Sequence, residues 1–174
     1  MTLTEIMVSM MVMTVSVYIL STTITATIAH SAGKRERIKA VEAVRSLLEE
    51  MRSLPCGELF ARYNDDPADD ADGPGTAPGR HFSVLGLDSQ KNDADGFVGE
   101  VIMSAVSAPL REDAVNSSLG LPRDLNGDAL IDDADHAEDY ILLPVHIRVE
   151  WSGHVGEREF EMFTMFADLR KWRS

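Results

Sequence analysis

Residues 6–32 read IMVSMMVMTVSVYILSTTITATIAHSA and contain no Asp, Glu, Lys or Arg. The stretch exceeds the roughly 20 apolar residues that cross a bilayer. It lacks the basic n-region and small-residue cleavage site of a signal peptide. No Pro or Gly interrupts it before Gly33. Beyond Gly33 the pattern turns amphipathic. Ile38, Val41, Val44, Leu48 and Met51 recur at helical spacing, and Lys34, Arg35, Arg37, Lys39, Glu42, Arg45 and Glu49 take the other positions. Pro55 disfavours helical geometry in the residue before it, so the helix is expected to stop at Leu54. A helix over 2–54 is about 80 Å long at 1.5 Å per residue. No domain of this size can bury that length, so its first half is expected to protrude into a membrane or into other subunits.

The rest of the chain belongs to water. Of 174 residues, 44% are hydrophobic, which excludes a disordered polymer and leaves material for one core. The formal net charge of -13 argues against nucleic acid as a partner, because phosphate neutralisation needs a basic footprint. It suits solubility and divalent cations instead. A single cysteine, Cys56, excludes an internal disulfide and reads as a small buried hydrophobe near a helix end.

The sequence divides the chain into an N-terminal helix over 1–54 and a globular head over 55–174. Within the helix, 1–32 is the membrane or filament-core part and 33–54 the amphipathic part packed on a sheet. In the head, Asp65 to Gly79 (DDPADDADGPGTAPG) is a surface loop. His81 to Leu87 and Phe97 to Val106 read as strands. Residues 107–139 read as irregular and acidic. Val145, Ile147, Val149 and Trp151 alternate with His146, Arg148 and Glu150, and after a turn at Ser152–Gly156 the chain returns over Arg158 to Ala167. Pro144 predicts an edge strand at its start, and His146 is expected to face solvent. Phe160, Met162 and Phe166 on one face of the last strand, with Phe163 and Met165 on the other, predict cover on both sides. The fold class is α+β: a long helix followed by an antiparallel sheet. Ser21 to Thr27, rich in β-branched and hydroxyl residues, is a place where the helix is expected to melt or stretch.

Glu5 stands one residue before the apolar run. With Thr2 three residues earlier it forms a capping-box pattern, and a carboxylate is favourable near a helix N-terminus. Neither role requires the apolar segment that follows. Met1-Thr2-Leu3-Thr4-Glu5-Ile6-Met7-Val8 resembles the mature N-terminus of type IV pilins and type II secretion pseudopilins. The resemblance covers residues 1–54 well and the closing strand pair loosely. It implies cleavage by a prepilin peptidase before Met1, methylation of the new amine, and pairing of Glu5 with the Met1 amine of a neighbouring subunit. Such a pair is worth up to about 4 kcal/mol at 4 Å and an effective dielectric near 20. Desolvation offsets part of this, so the pair sets register more than it glues. It further implies a homo-oligomeric helical filament at the cell surface, an inner-membrane stage before assembly, and a pilus or secretion assembly machinery as partner.

Asp124-Leu125-Asn126-Gly127-Asp128-Ala129-Leu130-Ile131-Asp132-Asp133-Ala134-Asp135 places oxygen donors at loop positions 1, 3, 5, 9 and 12. This is the spacing of an EF-hand calcium loop, with the Leu130 carbonyl at position 7. The run resembles the calcium loop of dockerin repeats. Asp124, Asn126, Asp128, Leu130, Asp132 and Asp135 are therefore the expected ligands of a structural Ca2+. Ala129 replaces the usual Gly at position 6, and Asp135 replaces the bidentate Glu at position 12; both weaken the site. Asp93-Ala94-Asp95-Gly96 reads as a plain turn.

No catalytic constellation is legible. The five histidines are scattered, and neither a nucleophile elbow nor a phosphate loop occurs. The chain is expected not to be an enzyme. Three readings follow: a filament subunit, a minor pilin or pseudopilin present in few copies, and a single-pass anchor displaying a calcium-dependent adhesive domain.

Overall fold

The computed structural model describes residues 2–70, 72–103, 109–154 and 156–168. Helix α1 runs over Leu3–Ser53 as one element of 51 residues. Thr2 begins it in extended geometry, and the Glu5 carboxylate accepts the Thr2 backbone N–H at 3.4 Å. Leu54 is extended (ψ 153) ahead of Pro55, so the helix ends where the proline requires. The stretch Ser21 to Thr27 stays helical, contrary to the expectation of melting. Its hydroxyls return to the helix's own carbonyls: Thr23 to Ile19 at 2.9 Å, Thr25 to Ser21 at 3.0 Å and Thr27 to Thr23 at 2.8 Å. That bonding removes the polar cost of hydroxyls on an apolar helix.

The buried positions of α1 are Gly33, Ala40, Val44, Leu48 and Met51. They form one stripe, and it begins where the apolar run ends. Among the described residues of the helix, none before Gly33 is buried.

After α1 come a 3-10 turn (Cys56–Glu58) and a short helix α2 (Leu59–Tyr63) that buries Leu59, Phe60 and Tyr63. Four strands follow: β1 (His81–Phe82), β2 (Gly99–Ile102), β3 (Leu142–Gly153) and β4 (Gly156–Ala167). They form one antiparallel sheet in the order β1-β2-β3-β4. The α+β class expected from the sequence is the observed one, with a long apolar helix ahead of an open sheet.

Several strand boundaries differ from the sequence reading. The strand expected over His81 to Leu87 ends at Phe82, because Gly86 (φ 75) turns the chain and Leu87 N–H bonds to Val84 O at 3.1 Å. The strand expected from Phe97 begins at Gly99, and its expected end at Val106 lies outside the described residues. Gly99 is where Phe82 crosses the sheet: a Cβ there would lie 2.2 Å from the ring. Strand β3 lies between β2 and β4 along its middle but begins as an edge, as Pro144 predicts. Pro144 is tolerated because β2 reaches only the Ile102↔His146 pair, two residues short of it. Strand β4 is not covered on both sides. Its inner face (Phe160, Met162, Phe166) packs on the core, while Phe163 and Met165 lie exposed.

The core combines the α1 stripe with the inner face of β3 (Leu143, Val145, Ile147, Val149, Trp151) and with Leu110, Leu119, Leu121, Leu125 and Tyr140. The four leucines come from the segment read as irregular, and Tyr140 directly follows it. Tyr140 ties it to the helix end, donating its hydroxyl to Cys56 O and accepting Phe60 N–H at 3.3 Å. At the other end the β3–β4 turn clamps α1. Glu36 accepts the Trp151 indole N–H at 3.3 Å and the His154 backbone N–H at 3.1 Å. The Arg158 guanidinium lies against Gly33, where a Cβ would approach it to 3.0 Å.

His146 is buried, not solvent-facing, because Phe163 stacks over its ring at 4.2 Å between centroids. Burial lowers its pKa, the Glu161 carboxylate 3.4 Å away pulls it back up, and Arg148 lowers it again. The net shift is downward. Its contribution to stability is therefore complete above the ordinary histidine value of about 6.5. It is lost as pH falls through the lower folded-state value, because the unfolded chain takes the proton first. A His146→Gln variant should accordingly lose less stability between pH 7 and pH 5 than the wild-type chain. Urea midpoints at the two pH values measure the difference, and equal losses would refute the assignment.

Candidate metal centre

The segment from Leu110 to Leu142 folds back on itself around three backbone ties. His136 N–H bonds to Leu110 O at 2.9 Å, Asp113 N–H to Asp132 O at 3.1 Å, and Ile141 N–H to Leu125 O at 2.7 Å. Burying Leu110, Leu125 and Tyr140 at the same time holds these strips together. Two polar side chains go inward with them. Glu112 is 1% exposed and His136 is 5% exposed.

Burying Glu112 would be costly without partners. Its Oε1 accepts Leu125 N–H at 2.5 Å and Asn126 N–H at 3.1 Å, while Oε2 lies 3.9 Å from His136 Nε2. His136 meets a carboxylate on each side: Nδ1 lies 3.0 Å from Asp139 Oδ1 and Nε2 lies 3.1 Å from Asp132 Oδ1. Burial alone would lower the His136 pKa. The hydrogen bonds from Asp132 and Asp139, together with the Glu112 charge, outweigh it and raise the value. Asp132 is held below the usual carboxylate range by the Ala134 backbone N–H and then by His136.

Glu112, Asp132 and His136 bring one ligand atom each to within 4.8 Å of one another, and the group can hold a metal ion. Asp139 on Nδ1 fixes the ring so that Nε2 faces Glu112 and Asp132, and a carboxylate on the far ring nitrogen commonly orients metal-binding imidazoles in this way. A proton on Nε2 and a metal ion compete for that place. Each would neutralise part of the surrounding carboxylate charge.

In the loop over 124–135 the acidic and amide side chains accept the loop's own backbone N–H groups. Asp124 accepts Gly127 N–H at 2.6 Å and Ala129 N–H at 2.8 Å. Asn126 accepts Asp128 N–H at 3.0 Å, Asp128 accepts Leu130 N–H at 2.8 Å, and Asp132 accepts Ala134 N–H at 2.8 Å. Asn126, Asp128 and Asp132 thus each cap the turn two residues on, while Asp124 reaches three and five residues on. Ala129 stands at φ 68, the left-handed region that a Gly at position 6 would enter freely. A Cβ there costs roughly 1–2 kcal/mol. Asp135 accepts Leu110 N–H and Ala137 N–H, both at 3.1 Å, and so serves as a backbone tie. Of the six residues read as ligands, Asp132 alone belongs to the converging group.

Sequence reasoning missed Glu112 and His136. His136 directly follows the twelve-residue loop, and an imidazole inside an acidic run is the signal that could have flagged it. Glu112 carries no local signal, because its role arises from a contact across 13 residues of chain. At the other end of the molecule, Glu5 lies at the start of α1 as a capping carboxylate, and Met1 falls outside the described residues.

Comparisons with protein-family models, with curated proteins and with solved structures find no match for this chain.

Asp132 is the residue shared by the converging group and the loop pattern, which makes it the discriminating position. A divalent cation that binds the folded head at a hundredfold excess over its Kd should stabilise it by about 2.7 kcal/mol. Asp132→Asn should abolish the gain in melting temperature, and Glu112→Gln should abolish it only if the buried group is the site. A melting temperature unmoved by Ca2+, Mn2+ and Zn2+ alike would exclude a metal role.

Proposed function

We propose that this chain is the structural subunit of a type IV pilus-like filament, assembled through its apolar helix and displaying an acidic head outside the cell. The observation that carries this reading is the state of α1. The helix is long and apolar enough to cross a membrane, and none of its most apolar stretch is buried in the chain. A helix apolar all round requires burial in lipid or against other helices.

Glu5 supports the filament over a plain anchor. Among the described residues its carboxylate accepts the Thr2 N–H, a long bond at an exposed helix end. Packing the apolar halves together would desolvate that carboxylate and require a cationic partner. The amine of Met1 on a neighbouring subunit supplies one. The unassembled chain waits in the inner membrane, and a pilus or secretion machinery extracts it into the filament. A Ca2+ ion at Asp124, Asn126, Asp128, Leu130, Asp132 and Asp135, drawing the carboxylates inward, would stabilise the head in an extracellular setting. The role is structural and involves no catalysis.

Filaments sheared from cells and resolved by mass should contain this chain as the dominant species, beginning at a methylated Met1. Glu5→Ala should remove the filaments and leave the amount of membrane-bound chain unchanged. A trace of chain with the same terminus would reassign it as a minor pilin or pseudopilin. Retention in the membrane with an uncut leader would leave a single-pass anchored domain.

A further inference from the structure

A second face of α1, displaced around the helix from its core stripe, also lacks a partner. Lys34, Arg37, Ile38, Val41, Glu42 and Arg45 line a groove of about 380 Å3 along it. Ile38 is 55% exposed, and the three cations stand in solvent beside it. Among the described residues, none of Lys34, Arg35, Arg37, Lys39 and Arg45 forms an ion pair with a carboxylate. These are unpaired cations in a chain of formal net charge -13. The face is an apolar strip whose rim carries three cations and one carboxylate, Glu42.

The head carries the complementary surface. A cleft of about 760 Å3 lies between α2 and the end of the acidic segment, with Phe60, Ala61 and Ala137 in its lining. Asp66, Asp69, Asp135 and Asp139 also line it, and no Lys or Arg is in the lining. It is a predominantly acidic cleft, with Ala61 and Ala137 as small apolar patches in it.

Within one chain the two surfaces cannot meet. From Arg37 to the end of α1 at Ser53 the helix climbs about 24 Å at 1.5 Å per residue, and the cleft lies beyond that end. A second copy displaced along the helix axis can bring them together. We infer that the groove at Lys34–Arg45 of one subunit docks into the Asp66–Asp69–Asp139 cleft of another. Arg37 and Arg45 then meet the carboxylates, with Ile38 and Val41 lying over Ala61 and Ala137. The contact joins two different patches, so it repeats from copy to copy without closing unless the rotation closes a ring. It is continuous along α1 with the bare apolar half. The inference rests on the filament reading for the setting in which copies are stacked this way.

The test uses full-length chains in the cell. In a Cys56→Ser background, differently tagged copies carrying Arg37→Cys and Asp69→Cys are co-expressed, and membranes and sheared filaments are oxidised separately. A disulfide-linked heterodimer is expected in filaments, at a yield about tenfold or more above an Arg37→Cys with Glu159→Cys control. The double reversal Arg37→Glu with Arg45→Glu should weaken assembly, and Asp66→Lys with Asp69→Lys in the same chain should restore it. Filaments that give no heterodimer above the control overturn the contact and leave the filament reading standing. A heterodimer in membranes, with no filaments from the unsubstituted chain, keeps the contact and removes the filament. Reversals that assemble like wild type, or that the compensating pair fails to rescue, also overturn it; a collar serving an anionic lipid surface would give that last result.

Discussion

A helix of 51 residues attached to a head that can cover only its second half sets the terms for the rest of the molecule. Fifteen large apolar side chains between Leu3 and Ile28 are exposed. Full burial of one such side chain is worth about 1.5–3 kcal/mol, so leaving them in water forgoes roughly 20 kcal/mol or more. That exceeds the 5–15 kcal/mol by which a whole domain is commonly stable. No rearrangement of the head could recover it, because the head already uses its sheet face on Ala40, Val44, Leu48 and Met51. The energy is available only to something outside the chain, whether lipid or other copies of the same helix.

The boundary between the two halves is built, not accidental. At Gly33 the absence of a side chain lets Arg158 lie flat against the helix, and one turn on Glu36 takes two N–H groups from the β3–β4 hairpin. The hairpin therefore fixes the angle at which the bare half leaves the head. Angle matters more than affinity in any repeating assembly, since a small error at this joint grows over the length of the helix. The same joint separates chemistries: apolar residues precede it, and unpaired cations follow it.

The helix was legible in the sequence because its signals are local: no charge over 6–32, a 3.6-residue period after Gly33, and a proline at 55. The β3–β4 hairpin was legible for the same reason, through alternation at Val145 to Trp151. What failed was what depends on the third dimension. His146 alternates with charged neighbours and reads as exposed, yet Phe163 on the next strand covers it. Residues 107–139 read as irregular, and in secondary structure they largely are. Their leucines and Tyr140 nonetheless complete the core, because scattered apolar residues without a period can still converge. The metal centre shows both cases at once. The acidic run over 124–135 stood out in the sequence, while Glu112 reached the group from another strip of chain.

That centre also shows how an acidic head holds itself together. Carboxylates crowded between 124 and 139 repel one another unless a positive charge stands among them. In this structure His136 stands there, bonded to Asp132 and Asp139 and facing Glu112. An imidazolium is one solution, and a bound cation is another that uses the same oxygens with more of them. Both tie the loop to Leu110 and Leu125, and through Leu125 to the start of β3. A positive charge at this point, on His136 or on a bound ion, offsets the repulsion that the acidity of the segment creates.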